Sequence, residues 1–195
     1  MKKIIVSLAL TFAVALVANA ESPKAKVKTL KVGDAAPVFK IKDTNGKQID
    51  LAQLTVKGPV LVRLTCGCLG CDRELPYFQA LHKAYQKEGI RLVAVFAEPD
   101  EKFAKYAKSK QFKMQYALDP KRKSWNIFGT KTMPSNFLIG KGGKVIAISK
   151  GCDPSGLIAR NLGNQTATLL NTAQVDIKTQ VDKNKKPTQK SQPKK

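Results

Sequence analysis

Two cysteines, Cys68 and Cys71, lie one helical turn apart in the segment 65–76. The apolar run 60–64 precedes them and a helical pattern of apolar residues follows, so we expect the first thiol where a strand meets a helix N-terminus. At that position, unpaired amide groups and the positive end of the helix dipole favour a thiolate. A second thiol on the next turn can resolve a mixed disulfide, so the spacing predicts dithiol–disulfide exchange.

The first twenty residues have the pattern of a secretory signal. Lys2 and Lys3 precede the apolar run 4–17, and the small residues at 18–20 form a cleavage site. The apolar stretch is shorter than the roughly 20 residues that usually cross a bilayer. We therefore expect a signal peptide over 1–20 and export to a periplasmic or extracellular space, where disulfides persist.

Composition divides the remaining chain into a basic N-terminal segment at 21–32, one folded domain at 33–175 and a Lys-rich tail at 176–195. The tail has few apolar residues to offset its ordering entropy, so we predict that it is disordered. The net charge of +21 favours electrostatic contact of this tail with anionic envelope surfaces. Nucleic acid is not expected as a partner, because export argues against it and no basic–aromatic pattern is present.

Within 33–175, apolar patterns predict alternating strands and helices. A short strand followed by the turn Asp-Thr-Asn-Gly at 43–46 predicts an N-terminal β-hairpin. A parallel βαβ unit followed by a second hairpin and a closing helix predicts an α/β sandwich. Strands are predicted at 36–41, 60–64, 90–96, 116–118, 134–139 and 144–148, and helices from 75 to about 88, around 103–107, at 124–128 and at 154–170.

Three separated motifs resemble the thioredoxin-like redoxins, most closely their exported thiol-disulfide reductases. They are G-D-x-A-P-x-F at 33–39, C-x-x-C-x-x-E-L-P at 68–76 and a segment beginning with Met-Pro at 133–139. The resemblance implies an α/β thioredoxin-like fold, with a central mixed sheet sandwiched by helices and an N-terminal β-hairpin. It also implies a thiol-disulfide oxidoreductase without a cofactor, which acts on a protein thiol or disulfide substrate and depends on a redox partner.

The resemblance implies roles for individual residues as well. Cys68 would be the exposed attacking thiolate and Cys71 the more buried resolving thiol. Pro134 would follow a cis peptide bond, which would place the Met133 backbone beside the dithiol to pair with an extended substrate. Glu74 matches an acidic residue that some cytochrome-maturation reductases carry beneath the dithiol, where it could move protons. The alternative for Glu74 is a solvent-facing residue that favours the helix dipole.

A peroxidase is the second hypothesis, because residues 65–68 fit the T-x-x-C of peroxiredoxins of the AhpC/TSA type, antioxidant proteins that share the opening motif. In that case Cys68 would be the peroxidatic residue. Leu61 stands where peroxiredoxins have Pro, however, and the Arg expected shortly before Phe137 is missing. A peroxide would therefore lack the donors that polarise its O–O bond.

Metal binding is the third hypothesis. Cys66, Cys68 and Cys71, joined by Cys152 if the fold brings it close, could supply four thiolates to Zn²⁺ or Cu⁺. A structural disulfide between Cys66 and Cys152 is an alternative, as is a buried thiol at Cys66 with a loop thiol at Cys152. The residues alone leave these alternatives open, and no metal is assigned from them.

Overall fold

The computed structural model describes residues 28–184, which form a five-stranded sheet covered by helices and a separate two-stranded sheet. The strands are β1 (Lys40–Lys42), β2 (Gln48–Asp50), β3 (Val60–Thr65), β4 (Arg91–Phe96), β5 (Gln115–Leu118), β6 (Ser135–Ile139) and β7 (Val145–Lys150). The helices are α1 (Leu51–Lys57), α2 (Leu69–Tyr85), α3 (Asp100–Lys110), α4 (Lys123–Ile127), α5 (Leu157–Leu170) and α6 (Ile177–Asn184).

The large sheet is mixed, with the strand order β5-β4-β3-β6-β7. Strands β3, β4 and β5 are parallel, whereas β6 runs antiparallel to both β3 and β7. Central strand β3 is buried along its whole length, as expected for a strand covered on both faces. The predicted thioredoxin-like architecture is confirmed, including the N-terminal hairpin formed by β1 and β2.

Each face of the sheet has its own apolar core, because side chains alternate along a strand. On one face, Leu61 of β3 packs in a cluster with Phe78 and Leu81 of α2. On the other face, Val60 and Val62 join a second cluster that includes Phe137. The first of these cores holds α2 against β3, the two elements that flank the dithiol.

Two helices add to the sequence prediction. Helix α2 begins at Leu69, before its apolar pattern starts at residue 75, and places Cys68 at its N-terminus and Cys71 in its first turn, as the spacing of the two thiols predicted. Helix α1 was not predicted at all. It is capped by Asp50, whose carboxylate accepts hydrogen bonds from the backbone N–H groups of Ala52 and Gln53.

The predicted disorder of the tail 176–195 is wrong for its first part. Residues Ile177–Asn184 form helix α6, which contacts α2 and α5. Ile177 is fully buried and Val181 nearly so. Two apolar residues four positions apart lie on one helix face, and their burial offsets the ordering cost that the polar composition suggested.

Several expectations lie outside the described residues. The signal peptide over 1–20, most of the basic segment 21–32 and the end of the tail, 185–195, all fall there. Between residues 28 and 184, no helix is both long and apolar enough to cross a membrane.

Candidate active site

Four strand ends meet at one edge of the large sheet. Parallel strands β3 and β4 end side by side at Thr65 and Phe96. Strand β6 runs the other way, so it begins at this edge, and β7 ends there with Lys150 opposite Ser135. The segments 66–71, 97–98, 133–134 and 151–153 therefore converge, and they contain every residue predicted for the site except Glu74.

Cys68 and Cys71 occupy the start of helix α2. Cys68 is the N-cap residue, with an extended backbone at φ −73° and ψ 159°, and its side chain is exposed. Cys71 is 2% exposed. An exposed first thiol and a shielded second thiol are what the predicted strand-to-helix junction requires, although the catalytic role of each remains a prediction.

The surroundings of Cys66, Cys68 and Cys152 shift the pKa values of these thiols in different directions. Burial opposes ionisation of Cys68, but hydrogen bonds from the Cys66 thiol and from the backbone and thiol of Cys71 outweigh it, so the pKa of Cys68 is lowered. Burial raises the pKa of the Cys66 thiol. Burial, together with the negative charge that Cys71 would carry as a thiolate, raises the pKa of Cys152 to about 12. Of these three thiols, Cys68 is the one whose surroundings favour the thiolate.

All four cysteines are free and their sulfur atoms cluster around Cys71. The Cys71 Sγ lies 3.3 Å from the Sγ of Cys66 and 3.8 Å from the Sγ of Cys152. The sulfurs of Cys66, Cys68 and Cys71 all lie within 4.8 Å of one another. The structure thus brings Cys152 to the dithiol and does not contain the disulfide predicted between Cys66 and Cys152, which remains a prediction.

The Met133–Pro134 peptide bond is cis, as the resemblance implied. It lies immediately before β6, at the sheet edge that also carries the dithiol. The carbonyl of Pro134 accepts a hydrogen bond of 2.8 Å from the N–H of Gly151. This bond ties the cis-proline segment to the loop that holds Cys152.

Glu74 is 1% exposed, so the alternative of a solvent-facing first-turn residue is wrong. Its Oε2 forms an ion pair of 2.7 Å with Nη2 of Arg63, a buried arginine in the middle of β3. Its Oε1 accepts a hydrogen bond of 2.8 Å from the N–H of Asp153. The Arg63 guanidinium also lies 4.0 Å from the centre of the Phe78 ring and donates to Asn136.

Glu98 is a site residue that the sequence prediction missed. It follows strand β4, and its Oε1 accepts a hydrogen bond of 2.7 Å from the N–H of Gly67, between Cys66 and Cys68. Its other oxygen, Oε2, is buried and has no hydrogen-bond partner among the described residues. A carboxylate after one parallel strand can reach the loop after the next, and this is the signal that could have found it.

With this geometry established, comparison with known proteins identifies the family. The model of the AhpC/TSA family matches residues 32–148. The chain belongs to the AhpC/TSA family. This redoxin is 32% identical over 127 residues to the thiol-disulfide oxidoreductase ResA of Bacillus thuringiensis subsp. konkukian (strain 97-27), an alignment that covers 65% of this chain and 73% of that protein.

A second relative and a solved structure agree with this assignment. ResA of Geobacillus thermodenitrificans (strain NG80-2) is 34% identical over 121 residues, covering 62% of this chain and 70% of that protein. A crystal structure from Chlorobium tepidum, assigned as the thiol:disulfide interchange protein DsbE, superposes with a TM-score of 0.66 at 26% identity, covering 73% of this chain and 99% of that one. The prediction of a thiol-disulfide oxidoreductase is confirmed, and the peroxidase alternative is no better supported.

The site of this AhpC/TSA protein can hold a thiolate beside a shielded thiol, and it resembles a dithiol site more than a peroxide site. Leu61, where peroxiredoxins have Pro, is fully buried in the α2-side core. Gly67 stands where thioredoxins usually carry Trp. A Cβ at this position would lie 3.5 Å from the Tyr106 ring, an ordinary contact. The space beside Gly67 is therefore bounded by Tyr106 and Glu98.

Proposed function

We propose that the chain exchanges the Cys68/Cys71 dithiol with disulfides of other proteins. The observation that carries this proposal is an exposed Cys68, with a lowered pKa, at the start of α2 beside a buried Cys71. The Cys68 thiolate would attack a substrate disulfide and form a mixed disulfide, while the other substrate sulfur leaves as a thiolate. Cys71, after losing its proton, would attack Cys68 Sγ, release the second substrate thiol and leave a Cys68–Cys71 disulfide.

Each such cycle moves two electrons from the dithiol to the substrate, and the reverse sequence oxidises a substrate dithiol. A separate redox partner must therefore restore the starting state of the dithiol. The Met133 backbone, next to the cis Pro134, would bind the substrate by pairing with an extended segment, because it lies at the same sheet edge as the dithiol.

Glu74 is proposed to assist the proton transfer of the resolving step. It lies three residues after Cys71, and so on the same face of α2, and it is buried. Because both of its oxygens are held, by Arg63 and by the Asp153 N–H, its position is fixed. Glu74→Gln should slow breakdown of the mixed disulfide and change the pH dependence of that step, while attack by Cys68 keeps its rate. Unchanged rates of both steps would remove Glu74 from the mechanism.

Trapping tests the assignment of the two thiols. Cys71→Ser should accumulate a mixed disulfide through Cys68, because attack occurs and resolution does not, and Cys68→Ser should capture nothing. Peptide mapping by mass spectrometry locates the adduct, and Cys152→Ser serves as a matched control that should turn over normally. An adduct at Cys66 or Cys152, or capture by Cys68→Ser, would show that Cys68 is not the nucleophile.

Two activity assays on the reduced protein distinguish disulfide exchange from peroxide reduction. The reduced protein should reduce a protein disulfide such as insulin faster than it consumes hydrogen peroxide, because the Pro and the Arg that peroxiredoxins carry at Leu61 and shortly before Phe137 are missing from the sequence. Faster consumption of peroxide would favour the peroxidase alternative.

Export and contact of the basic tail with anionic envelope surfaces are proposed from the sequence. The signal pattern over 1–20 and the net charge of +21 support them. The mass of the protein recovered from the producing cell should correspond to a chain that begins at Glu21. A chain that keeps residues 1–20 would contradict cleavage.

A further inference from the structure

The fold adds two sulfurs to the dithiol. Cys66 follows the end of β3, and Cys152 arrives from the loop after β7, 81 residues beyond Cys71 in the chain. Cys71 Sγ contacts both of them, at 3.3 Å and 3.8 Å. Disulfide exchange by Cys68 and Cys71 requires neither extra thiol, so their presence at the site calls for a separate explanation.

Gly70 makes room for the approach of Cys152. A Cβ at position 70 would lie 3.0 Å from Cys152 Sγ, closer than a real side chain allows without a shift. Glycine is disfavoured inside a helix relative to alanine, and here it opens the space in which the fourth sulfur reaches the first turn of α2. The loop of Cys152 is itself held by the Glu74 carboxylate through the Asp153 N–H.

The spacing of the sulfurs fits a tetrahedral thiolate site. With a metal–sulfur bond of about 2.3 Å, the sulfurs of such a site lie about 3.8 Å apart. The two contacts of Cys71 are 3.3 Å and 3.8 Å, and the sulfurs of Cys66, Cys68 and Cys71 lie within 4.8 Å of one another. Cys152 lies outside this group of three but its sulfur is 3.8 Å from that of Cys71, so its loop must bring it toward Cys66 and Cys68 to complete a tetrahedron.

We propose that the reduced Cys66, Cys68, Cys71 and Cys152 bind one thiophilic d¹⁰ cation, Cu⁺ or Zn²⁺, as a four-thiolate site. An all-sulfur donor set selects such ions over Mg²⁺ or Ca²⁺, which prefer oxygen ligands. The Glu98 carboxylate, by accepting from the Gly67 N–H between Cys66 and Cys68, orients the loop that presents two of the four ligands.

This binding goes beyond the proposed exchange reaction but uses two of the same thiols. A cation bound through Cys68 and Cys71 prevents these sulfurs from attacking a disulfide, and a Cys68–Cys71 disulfide removes two of the four ligands. Each thiol that binds the cation as a thiolate releases its proton. A disulfide substrate that oxidises the dithiol when the ion has dissociated should therefore prevent the ion from binding again, with the two electrons passing from the thiols to the substrate.

Competition with chromophoric chelators tests the site. The reduced full-length protein is titrated with Cu⁺ in the presence of bathocuproine disulfonate and, separately, with Zn²⁺ in the presence of pyridylazoresorcinol. We expect one ion per chain for at least one of the two cations, and the relative affinities identify which ion the site prefers. Cys152→Ser and Cys66→Ser should each weaken binding about tenfold or more, since even changes outside the ligand set cost about 10- to 100-fold.

Ser155→Ala is the matched control, because it alters the loop of Cys152 without removing a sulfur. Its affinity should remain within about twofold of the parent, and thermal melting verifies that each variant folds. Failure of both cations to bind stoichiometrically, or an unchanged affinity in Cys152→Ser, would overturn the four-thiolate site. Retention of the ion after oxidation of the dithiol would do the same.

The disulfide-exchange assay separates this proposal from the proposed function. Metal-free Cys152→Ser should exchange disulfides like the parent while it binds the cation weakly. Tight metal binding without exchange would contradict the proposed function and leave the metal site in place. Exchange without metal binding would contradict the metal site and leave the proposed function in place.

Discussion

Replacing Ile177 by alanine should destabilise the domain, although Ile177 lies in a stretch whose composition predicts disorder. Its side chain is fully buried in the core formed by α2 and α5, and it fills the space above Gly163. Close by, the N–H of Val175 donates a hydrogen bond of 2.8 Å to the hydroxyl of Tyr85. These contacts hold the start of α6 against the domain.

The expected magnitude follows from the buried side chain. Replacing a core isoleucine by alanine costs about 2–5 kcal/mol, and the cost is lower where neighbouring groups can relax into the cavity. Helix α6 lies near the end of the described chain and can shift toward α5, so we expect a loss of about 3 kcal/mol in the free energy of unfolding. For a protein of this size, that loss corresponds to a fall in Tm of roughly 6–12 °C.

Thermal and urea unfolding followed by circular dichroism measure the effect, with Gln180→Ala as the control because Gln180 is exposed on the same helix. The control should remain within about 0.5 kcal/mol of the parent. An Ile177→Ala variant with the stability of the control would show that α6 is not docked, and the reasoning from burial would be refuted.

A double-mutant cycle makes this test specific to the contact between α5 and α6. In the parent, a Cβ added at Gly163 would lie 2.4 Å from Cδ1 of Ile177. The crowding should cost about 1–3 kcal/mol and outweigh the gain of about 1 kcal/mol in helix propensity. Combined with Ile177→Ala, the change Gly163→Ala should become stabilising. An effect of the same sign in both backgrounds would show that Ile177 does not pack against Gly163.

Two further predictions concern the site. Glu74→Ala should lower the free energy of unfolding by about 3–5 kcal/mol in urea denaturation, because it leaves the buried Arg63 charge unpaired; Glu74→Gln should cost less, and equal losses would argue against a role for the charge. Because its pKa is lowered, Cys68 should be alkylated by iodoacetamide with a midpoint below the pH typical of a free thiol. Cys66→Ala removes a hydrogen-bond donor to the thiolate and should move that midpoint to higher pH, as mapped by mass spectrometry; a midpoint that stays in place would refute this account.

The sequence predicted an element correctly where the pattern within one segment is enough to determine its structure. The runs at 60–64 and 90–96 were predicted as strands because a strand buried on both faces is apolar throughout. The apolar pattern of helix α2 starts only at residue 75, because the first turn around Cys71 has little apolar periodicity, and the start of this helix was predicted from the spacing of the two thiols instead. Helix α6 was missed because its stability comes from a few buried side chains, above all Ile177, and only the folded domain shows what those side chains contact.

The site was predictable only within the segment of the dithiol. The spacing of Cys68 and Cys71 places both thiols at a helix start, but the arrival of Cys152 depends on strand order and direction. Strand β7 runs parallel to β3 because each is antiparallel to β6, which lies between them. The loop after β7 therefore returns to the edge where β3 ends. Glu98 reaches this edge for the related reason that β4 is parallel to β3.

Strand register also explains why the charged Arg63 can stand in the buried strand β3. Arg63 lies opposite Asn136 on β6, and Asn136 lies opposite Ser149 on β7. The side chains form a hydrogen-bonded row, from Arg63 Nη1 to Asn136 Oδ1 at 2.9 Å and from Asn136 Nδ2 to Ser149 Oγ at 3.0 Å. Glu74 completes the row from α2 and neutralises the buried guanidinium charge.

The Glu74 carboxylate also connects the helix that carries Cys71 to the loop that carries Cys152. One oxygen of Glu74 pairs with Arg63 on the central strand, and the other accepts the N–H of Asp153, the residue after Cys152. Because Glu74 is on the helix that carries Cys71, a single buried side chain fixes the Cys71 helix and the Cys152 loop to one point of the sheet. The contact between the Cys71 and Cys152 thiols therefore depends on Glu74 and its buried partners, in addition to the helix and the loop that carry the two thiols.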